Sequence, residues 1–284
     1  MPWQLLTIIS VTTFSVSVLL QRLLLHKNKS DAYAYVIAFQ GLTGFLVGAY
    51  AIIHGFELPD ISRLWLPMFA TFVLYGAGHI AYAKTLQLVE ASAFPILFAT
   101  QAIWIMGIGV LFFRESLHWW QVLGSLLIFG GVALLSRRPK GASKFKMEYG
   151  VVLGLLTGLL FGIASVTWAY VGRHADTVSW ASLGFIGPAL VVLLARPRAV
   201  RKLRPFLSGE IAIRMIMLCL IFSVSGVTLL QAYQSGNLSL VAPLRQTGII
   251  MTLLFGILFL HERDNLQRKI LAALICFVGA MLII

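Results

Sequence analysis

Long apolar runs alternate with short polar breaks along the whole chain. Ten runs of about 15 to 25 residues can be marked off, each near the length that a helix needs to cross a hydrocarbon layer of about 30 Å. Barrel strands would be near ten residues long and would alternate apolar and polar positions, which these runs do not. The pattern therefore predicts ten transmembrane helices. They cover residues 3–25, 33–53, 64–88, 92–113, 120–135, 149–171, 178–195, 211–234, 238–260 and 270–284.

The last run is short, and for it to span the membrane Arg268 and Lys269 would have to extend toward the headgroups.

The second half of the chain repeats features of the first. Three residues recur 148 positions later: Pro95 as Pro243, Phe129 as Phe277 and Gly131 as Gly279. Glu115 and Glu262 are 147 positions apart, a difference that one inserted residue explains. We therefore predict two units, residues 1–140 and 141–284, of five helices each. Because five is odd, the second unit is inverted relative to the first. The predicted fold class is an all-α integral membrane protein of two inverted five-helix repeats.

Composition and charge agree with a membrane protein and predict its orientation. Hydrophobic residues make up 59% of the chain and charged residues 11%, against roughly a quarter charged in soluble domains. The net charge of +12 comes mainly from basic residues in the short breaks, so nucleic acid is not an expected partner. Alternate breaks place sixteen Lys and Arg residues on one side and three on the other. The positive-inside rule then predicts a multi-pass protein of the inner cell membrane with both termini outside.

Each predicted unit has a proline-led fourth helix, a glutamate at the following turn and a fifth helix rich in small residues, GSLLIFGGVALL or AALICFVGAMLI. In this arrangement the whole chain resembles the EamA family of the drug/metabolite transporter superfamily. The resemblance implies a carrier whose first, third, fourth, sixth, eighth and ninth helices surround a central cavity, with the fifth and tenth at the periphery. Its members include exporters of amino acids and other small metabolites, and relatives carry nucleotide-sugars or phosphorylated sugars. Family members are commonly drawn with both termini in the cytoplasm, from which the charge count of this chain departs.

Polar and aromatic residues inside the predicted spans are the candidates for substrate binding, because such groups are costly in lipid and face protein or water. They are Arg245, Gln246, Thr247, Gln101, Trp104, His79, Tyr82, Gln231 and Trp168. The fourth and ninth helices carry several of them at equivalent positions but with different chemistry. Ser225, Thr228 and Gln231 form a polar stripe on the eighth helix, for which hydrogen bonding between helices is the alternative.

Two of these residues have opposing interpretations. Arg245 could hold a substrate carboxylate or phosphate through its guanidinium, or it could extend outward to the membrane surface from its position about seven residues into the helix. His79 could carry the proton of a proton-coupled antiporter, or it could be a structural histidine among apolar residues.

Other classes of function lack their sequence motifs. The chain has no P-loop, no metal-spaced cluster of Cys and His and no Gly-flanked nucleophilic serine, and its acidic residues occur only near the ends of the runs. We therefore expect no enzyme, no metal and no other cofactor. The prediction is a secondary transporter that works by alternating access on small metabolites such as amino acids or drugs, with export as the expected direction.

A nucleotide-sugar or phosphorylated-sugar carrier and a lipid-flipping membrane protein are the alternatives. The expected partners are a small-molecule substrate and the lipid bilayer, while proton coupling and a homo-oligomer are left open.

Overall fold

The computed structural model describes residues 2–27, 31–101, 103–105, 107–108, 118–136, 144–235, 238–261 and 265–283, and within these ranges the chain forms helices and no strands. The helices are α1 (Trp3–Lys27), α2 (Ala32–His54), α3 (Ile61–Leu88), α4 (Phe94–Phe98), α5 (Trp119–Ser136), α6 (Lys144–Gly172), α7 (Thr177–Ala195), α8 (Gly209–Ser235), α9 (Leu238–Phe259) and α10 (Leu266–Ile283). Beyond α4, helical geometry recurs at residues 101, 103–105 and 107–108. Two short 3₁₀ turns, Pro197–Lys202 and Arg204–Phe206, link α7 to α8.

Six of these helices, α1 to α3 and α6 to α8, are long and apolar enough to cross a membrane. Shorter apolar helices occur at Trp119–Leu134 and Thr247–Phe259, and α4 begins a further apolar stretch at Phe94. The predicted all-helical class with several apolar spans is therefore confirmed. Aspartates begin three of the long helices: the carboxylates of Asp31, Asp60 and Asp176 accept hydrogen bonds from backbone N–H groups in the first turns of α2, α3 and α7.

The helices α2 and α7 cross at very short range. A Cβ atom on Gly44 would lie 2.5 Å from Ile186 Cγ1 and 2.8 Å from the Ile186 backbone nitrogen. One turn further along α2, Gly48 faces Ser182, whose hydroxyl donates a 3.0 Å hydrogen bond to the Gly44 carbonyl. Residue numbers rise on α2 as they fall on α7 at these contacts, so the two helices run antiparallel. Small residues permit this approach of two backbones in a membrane bundle.

The helices α5 and α10 form a second antiparallel pair, built from matched residues. A Cβ on Gly131 would lie 2.9 Å from the Ala272 carbonyl oxygen, and a Cβ on Gly279 would lie 2.6 Å from the Gly124 carbonyl oxygen. Gly131 recurs as Gly279 at a spacing of 148, and Gly124 and Ala272, both small residues, occupy positions with the same spacing. Each helix therefore places an equivalent glycine against a backbone carbonyl of the other.

Two further pairs connect the halves of the chain. On α1 and α8 the Ser10 hydroxyl donates to the Ser225 carbonyl at 2.8 Å, and the Ser225 hydroxyl donates to the Ser10 carbonyl at 2.9 Å. On α3 and α6 the Thr71 hydroxyl donates to the Thr167 hydroxyl at 2.7 Å. Polar groups buried in an apolar bundle are thereby satisfied between helices. For Ser225 these bonds support the alternative interpretation of the polar stripe on α8, which is hydrogen bonding between helices.

Several charged groups gather at one end of the bundle. Lys202, after α7, forms a 2.7 Å ion pair with Asp31 at the start of α2. Arg196 lies over the Tyr33 ring at 4.6 Å. Lys269, in the first turn of α10, is buried and forms an ion pair with Glu90. The expectation that Lys269 extends toward the headgroups was wrong, because α10 already begins at Leu266 and Glu90 neutralises the lysine inside the protein.

Candidate functional site

A row of polar aromatic side chains lies along one face of α3. Tyr75, His79 and Tyr82 follow one another at spacings of four and three residues, which places them on one side of a helix. The Tyr75 ring packs edge-on against Trp168 of α6, with centroids 5.8 Å apart, and against Phe161 of α6 at 5.2 Å. The row therefore faces α6, across the boundary between the two halves.

Three glycines of α6 set the register of the α4 region. Gly154 contacts Leu97, Gly158 contacts Thr100, and Gly162 contacts the Cβ of Trp104. Because residue numbers rise together on both segments at these contacts, the α4 region runs parallel to α6 and packs directly against it. One consequence is that the amide of Gln101 reaches the second half of the chain.

Among the predicted site residues, Gln101 makes a hydrogen bond that joins the two halves of the chain. Its Nε2 donates a 2.8 Å hydrogen bond to the Ser165 hydroxyl of α6. That hydroxyl donates in turn to the Phe161 carbonyl at 2.7 Å, and the Tyr75 hydroxyl lies 3.5 Å away. Gln101 is buried, whereas Tyr75 and Ser165 are half-buried. The arrangement joins α3, the α4 region and α6 through polar side chains.

Arg245 adds a positive charge beside this group. Its Nη1 donates a 3.1 Å hydrogen bond to the Tyr233 hydroxyl of α8, and the guanidinium also lies within electrostatic range of Tyr75. Both Arg245 and Tyr233 are half-buried. These contacts direct the side chain toward Tyr75, so they favour the interior interpretation of Arg245 over extension to the membrane surface. We call Tyr75, Gln101, Ser165, Tyr233 and Arg245 the polar cluster.

Trp168 closes one side of the polar cluster. The ring is buried against Trp180 and Phe185 of α7, with centroids 5.4 and 5.7 Å away. A Cβ on Gly184 would lie only 1.9 Å from the indole, so the glycine leaves space that the ring fills. The tryptophan thus presents its remaining edge to Tyr75.

His79 lies deeper along the same face of α3, and its surroundings are largely aromatic. Its Nε2 lies 2.7 Å from Nε2 of Gln40 on α2. The imidazole and the amide are therefore within hydrogen-bonding distance of each other. The rings of Phe39, Tyr75, Tyr82, Phe161 and Phe222 surround it. A histidine enclosed by aromatic rings fits the structural interpretation.

Tyr82 is buried farther along α3, against Phe94 at 4.5 Å. Its hydroxyl lies near Gln21 but makes no hydrogen bond within the described residues. The turn of α3 that carries His79 lies between Tyr82 and the polar cluster.

The remaining predicted residues are more scattered. Trp104 touches Gly162 through its Cβ but has 40% of its surface exposed, so it contributes little to the buried cluster. Thr247 and Gln231 are half-buried on α9 and α8. The Gln246 side chain, Glu115 and Glu262 lie outside the described residues.

Sequence inspection did not select Tyr75, Tyr233 or Gln40. A signal existed for Tyr75, because it continues the His79 and Tyr82 spacing by one turn toward the start of α3. Gln40 and Tyr233 can be recognised only from which helices pack together, and the spacing of residues within one helix does not show this. The described residues contain no group of three or more His, Cys, Asp or Glu side chains that could hold a metal ion.

Comparison with known proteins decides the class of this bundle. The model of the EamA-like transporter family matches residues 1–137 and again residues 148–284. The chain belongs to this family. As an EamA-like transporter it is an integral, multi-pass membrane protein that carries small solutes, and the predicted family is confirmed.

Two relatives add detail to the family assignment. The EamA-like chain is 24% identical over 254 residues to the "Glucose uptake protein GlcU" of Bacillus subtilis (strain 168), covering 85% of this chain and 84% of the relative. A solved crystal structure matches with a TM-score of 0.67 at 14% identity, over 99% of this chain and 96% of the other. At that identity the second match shows a shared fold alone.

Proposed function

We propose that this protein is a secondary transporter that binds one small polar metabolite at the polar cluster and exposes it to the two sides of the membrane in turn. The observation that carries the proposal is the position of the cluster: Tyr75 and Gln101 come from the first half of the chain, and Ser165, Tyr233 and Arg245 come from the second. A site between two halves opens to either side when they rock against each other.

The proposed architecture is ten helices in two inverted repeats, residues 1–140 and 141–284. Three observations support it. The family model matches each half separately. The pairs α2 with α7 and α5 with α10 join helices at equivalent positions of the two units, and each pair is antiparallel at its glycine contacts. The pair α1 with α8 becomes the pair α6 with α3 when the two units are exchanged, and both pairs are closely packed.

The proposed substrate is a small metabolite, such as an amino acid or a drug-like molecule, and the proposed direction is export. A second candidate is a sugar, favoured by the relative named for glucose uptake and by the mixture of aromatic rings, amide and hydroxyls in the cluster. Nucleotide-sugars are less favoured, because Arg214 forms an ion pair with Glu210 at the exposed start of α8 and Lys84 lies over the Tyr33 ring at 5.2 Å. Neither cation is available to a phosphate at the cluster.

Counterflow in proteoliposomes tests transport directly. Vesicles are loaded with unlabelled glucose, phenylalanine, threonine or gluconate and diluted into a trace of the same labelled solute. Transient accumulation of label that requires the protein supports a carrier, and comparing preloaded vesicles of both orientations reports the preferred direction. No accumulation of any solute, together with scrambling of labelled lipid, would favour the lipid-flipping alternative.

A disulfide across the two halves tests alternating access. The Thr71 and Thr167 hydroxyl oxygens are 2.7 Å apart, so cysteine sulfurs at these two positions would lie near each other and could be joined by oxidation. The double variant T71C/T167C should lose counterflow when oxidised and regain it when reduced. Each single variant serves as the control. Full counterflow in the oxidised double variant would refute rocking at α3 and α6.

Proton coupling through His79 is the hypothesis that competes with its structural role, and it is tested separately from the carrier proposal. The titratable groups facing His79 are the Tyr75 and Tyr82 hydroxyls of its own helix, and the other neighbours are Gln40 and phenylalanine rings. If His79 carries the proton, an imposed pH gradient accelerates uptake in wild type but not in H79Q. Equal rates with and without the gradient would remove His79 from coupling and leave the carrier proposal intact.

A further inference from the structure

Arg245 is a charged side chain in the bundle that no carboxylate of the described residues balances. Among these residues, no Asp or Glu oxygen lies within ion-pair distance of it, and its one hydrogen bond goes to the Tyr233 hydroxyl. A guanidinium has five N–H donors in a planar fork, so several donors are left for another partner. A cation held within a membrane bundle is expensive unless something compensates it.

The sequence supplies no compensating acid from elsewhere in the spans. All ten acidic residues lie near the ends of apolar runs: Asp31, Glu57, Asp60, Glu90, Glu115, Glu148, Asp176, Glu210, Glu262 and Asp264. Other described ion pairs join such end residues to nearby bases, as Asp31 does with Lys202 and Glu90 with Lys269. Arg245 therefore differs from the paired cations of the same chain.

The equivalent position in the first half carries no charge. Leu97 lies 148 residues before Arg245, is fully buried, and packs against Gly154 of α6. A leucine satisfies the fold at that position of the repeat. The charge at Arg245 is thus not required by the shared architecture and points to a task that only the second half performs.

We infer that Arg245 binds a carboxylate of the transported solute, and that the natural substrate is a small monocarboxylate. The inference rests on the proposed function, since it assigns chemistry to the same cluster. The Tyr233 hydroxyl orients the guanidinium at 3.1 Å, and the fork can hold both carboxylate oxygens. Gln101, Ser165 and the edge of Trp168 remain for the body of the solute.

A monoanion fits better than a phosphate dianion. The cluster offers one full positive charge, because Lys84 and Arg214 are engaged elsewhere. One guanidinium balances one carboxylate, whereas a dianion would leave an uncompensated charge in the bundle, which is costly. An amino acid also carries one carboxylate, but no acidic side chain of the described spans could receive its ammonium group, so this inference narrows the proposed substrates to monoanions.

Thermal stabilisation of the purified protein tests the inference without assuming the solute. Monocarboxylates and the matched neutral amides are compared pair by pair, for example gluconate with gluconamide, phenylacetate with phenylacetamide and lactate with lactamide, since a ligand that binds the folded form raises the melting temperature. At least one carboxylate should stabilise wild type, and its amide should not. In R245Q the affinity for that carboxylate should fall by at least about tenfold.

Matched variants separate binding from folding. R214Q removes an exposed arginine that is already paired with Glu210 and should bind the carboxylate as wild type does. Y233F keeps every charge and loses only the orienting hydroxyl, so it should weaken carboxylate binding without creating affinity for the amide. If R245Q does not fold, the effect of Y233F on the same carboxylate decides the question.

Three outcomes overturn the inference: no carboxylate stabilises wild type, amides stabilise it equally well, or R245Q and Y233F both bind the carboxylate unchanged. Counterflow of a neutral solute with no carboxylate binding would refute this inference alone. Absence of counterflow for every solute would refute the carrier proposal instead.

Discussion

Replacing Gly44 by alanine should push α2 away from α7, whereas the same replacement at Gly41 should not. The two glycines lie on the same helix, three residues apart, and both face α7. A new Cβ at Gly44 would lie 2.5 Å from Ile186 Cγ1, 2.8 Å from the Ile186 nitrogen and 3.0 Å from the Ser182 carbonyl oxygen. At Gly41 the nearest atom, Ala189 Cβ, is 3.9 Å away, an ordinary van der Waals contact.

The magnitudes decide the sign of each effect. Alanine favours a helix over glycine by about 1 kcal/mol, so G41A should be neutral or stabilising by up to that amount. G44A gains the same propensity but overpacks the interface, at a cost of about 1–3 kcal/mol. Two of its three close contacts are backbone atoms, which side-chain rotation cannot relieve. Separation would also lengthen the hydrogen bond from Ser182 to the Gly44 carbonyl, costing about 0.5–1.5 kcal/mol.

The expected net effect of G44A is destabilisation by about 0.5–3.5 kcal/mol. Tryptophan fluorescence of the purified proteins on heating in detergent gives the order of melting temperatures: G41A equal to or above wild type, and G44A below it. G44A melting at or above G41A would show that the two helices do not meet at Gly44. It would also weaken the proposal that equivalent helices of two inverted units pack together.

Three further changes probe other parts of the structure. Q101L should slow counterflow of anionic and neutral solutes alike, because in the proposed site the amide faces the body of the solute rather than its charge. E90Q should lower the free energy of unfolding by about 1–3 kcal/mol, and with it the melting temperature, since it removes the carboxylate that pairs with the buried Lys269; E90Q/K269M should recover part of the loss. Burial would raise the pKa of the Asp31 carboxyl, but hydrogen bonds from Lys202 and the first turn of α2 hold that pKa below its ordinary value of 3.8. Asp31 therefore stabilises the fold above about pH 4 and loses this effect as the pH falls further, so the difference in melting temperature between wild type and D31N should shrink only below about pH 4.

Much of the fold was accessible from the pattern of the sequence. The length of the apolar runs alone indicates spanning helices, because the thickness of a bilayer fixes the number of residues needed. The recurrence of Gly131 as Gly279 indicated a repeated unit, and the structure shows the physical use of that recurrence: each glycine meets a backbone carbonyl of the other helix. What the pattern could not supply was which helices adjoin, since all of them are apolar on most faces.

The candidate site shows the same limit. Arg245, Gln101 and Trp168 stood out because polar or bulky groups in a span need a reason, and all three lie at or beside the polar cluster. Their partners Ser165, Tyr75 and Tyr233 depend on helix packing across the halves. Trp104 was selected because it lies within one turn of Gln101, but 40% of its surface is exposed; packing between helices decides this exposure, and spacing along one helix does not show it.

In the proposed carrier, the difference between the repeated fold and its unrepeated chemistry would let one solute site serve both sides of the membrane. Leu97 and Arg245 are equivalent by position, as are Gln101 and Ile249, and in each pair one member is polar and the other apolar. Exchange of the two conformations would move both halves in equivalent ways, because their packing surfaces match. The polar members are not exchanged, so the solute would keep the same hydrogen-bonding partners on either side. In the proposed carrier, the matched glycine contact of α5 and α10 therefore belongs to the repeated part of the fold, whereas the polar cluster belongs to the part that is not repeated.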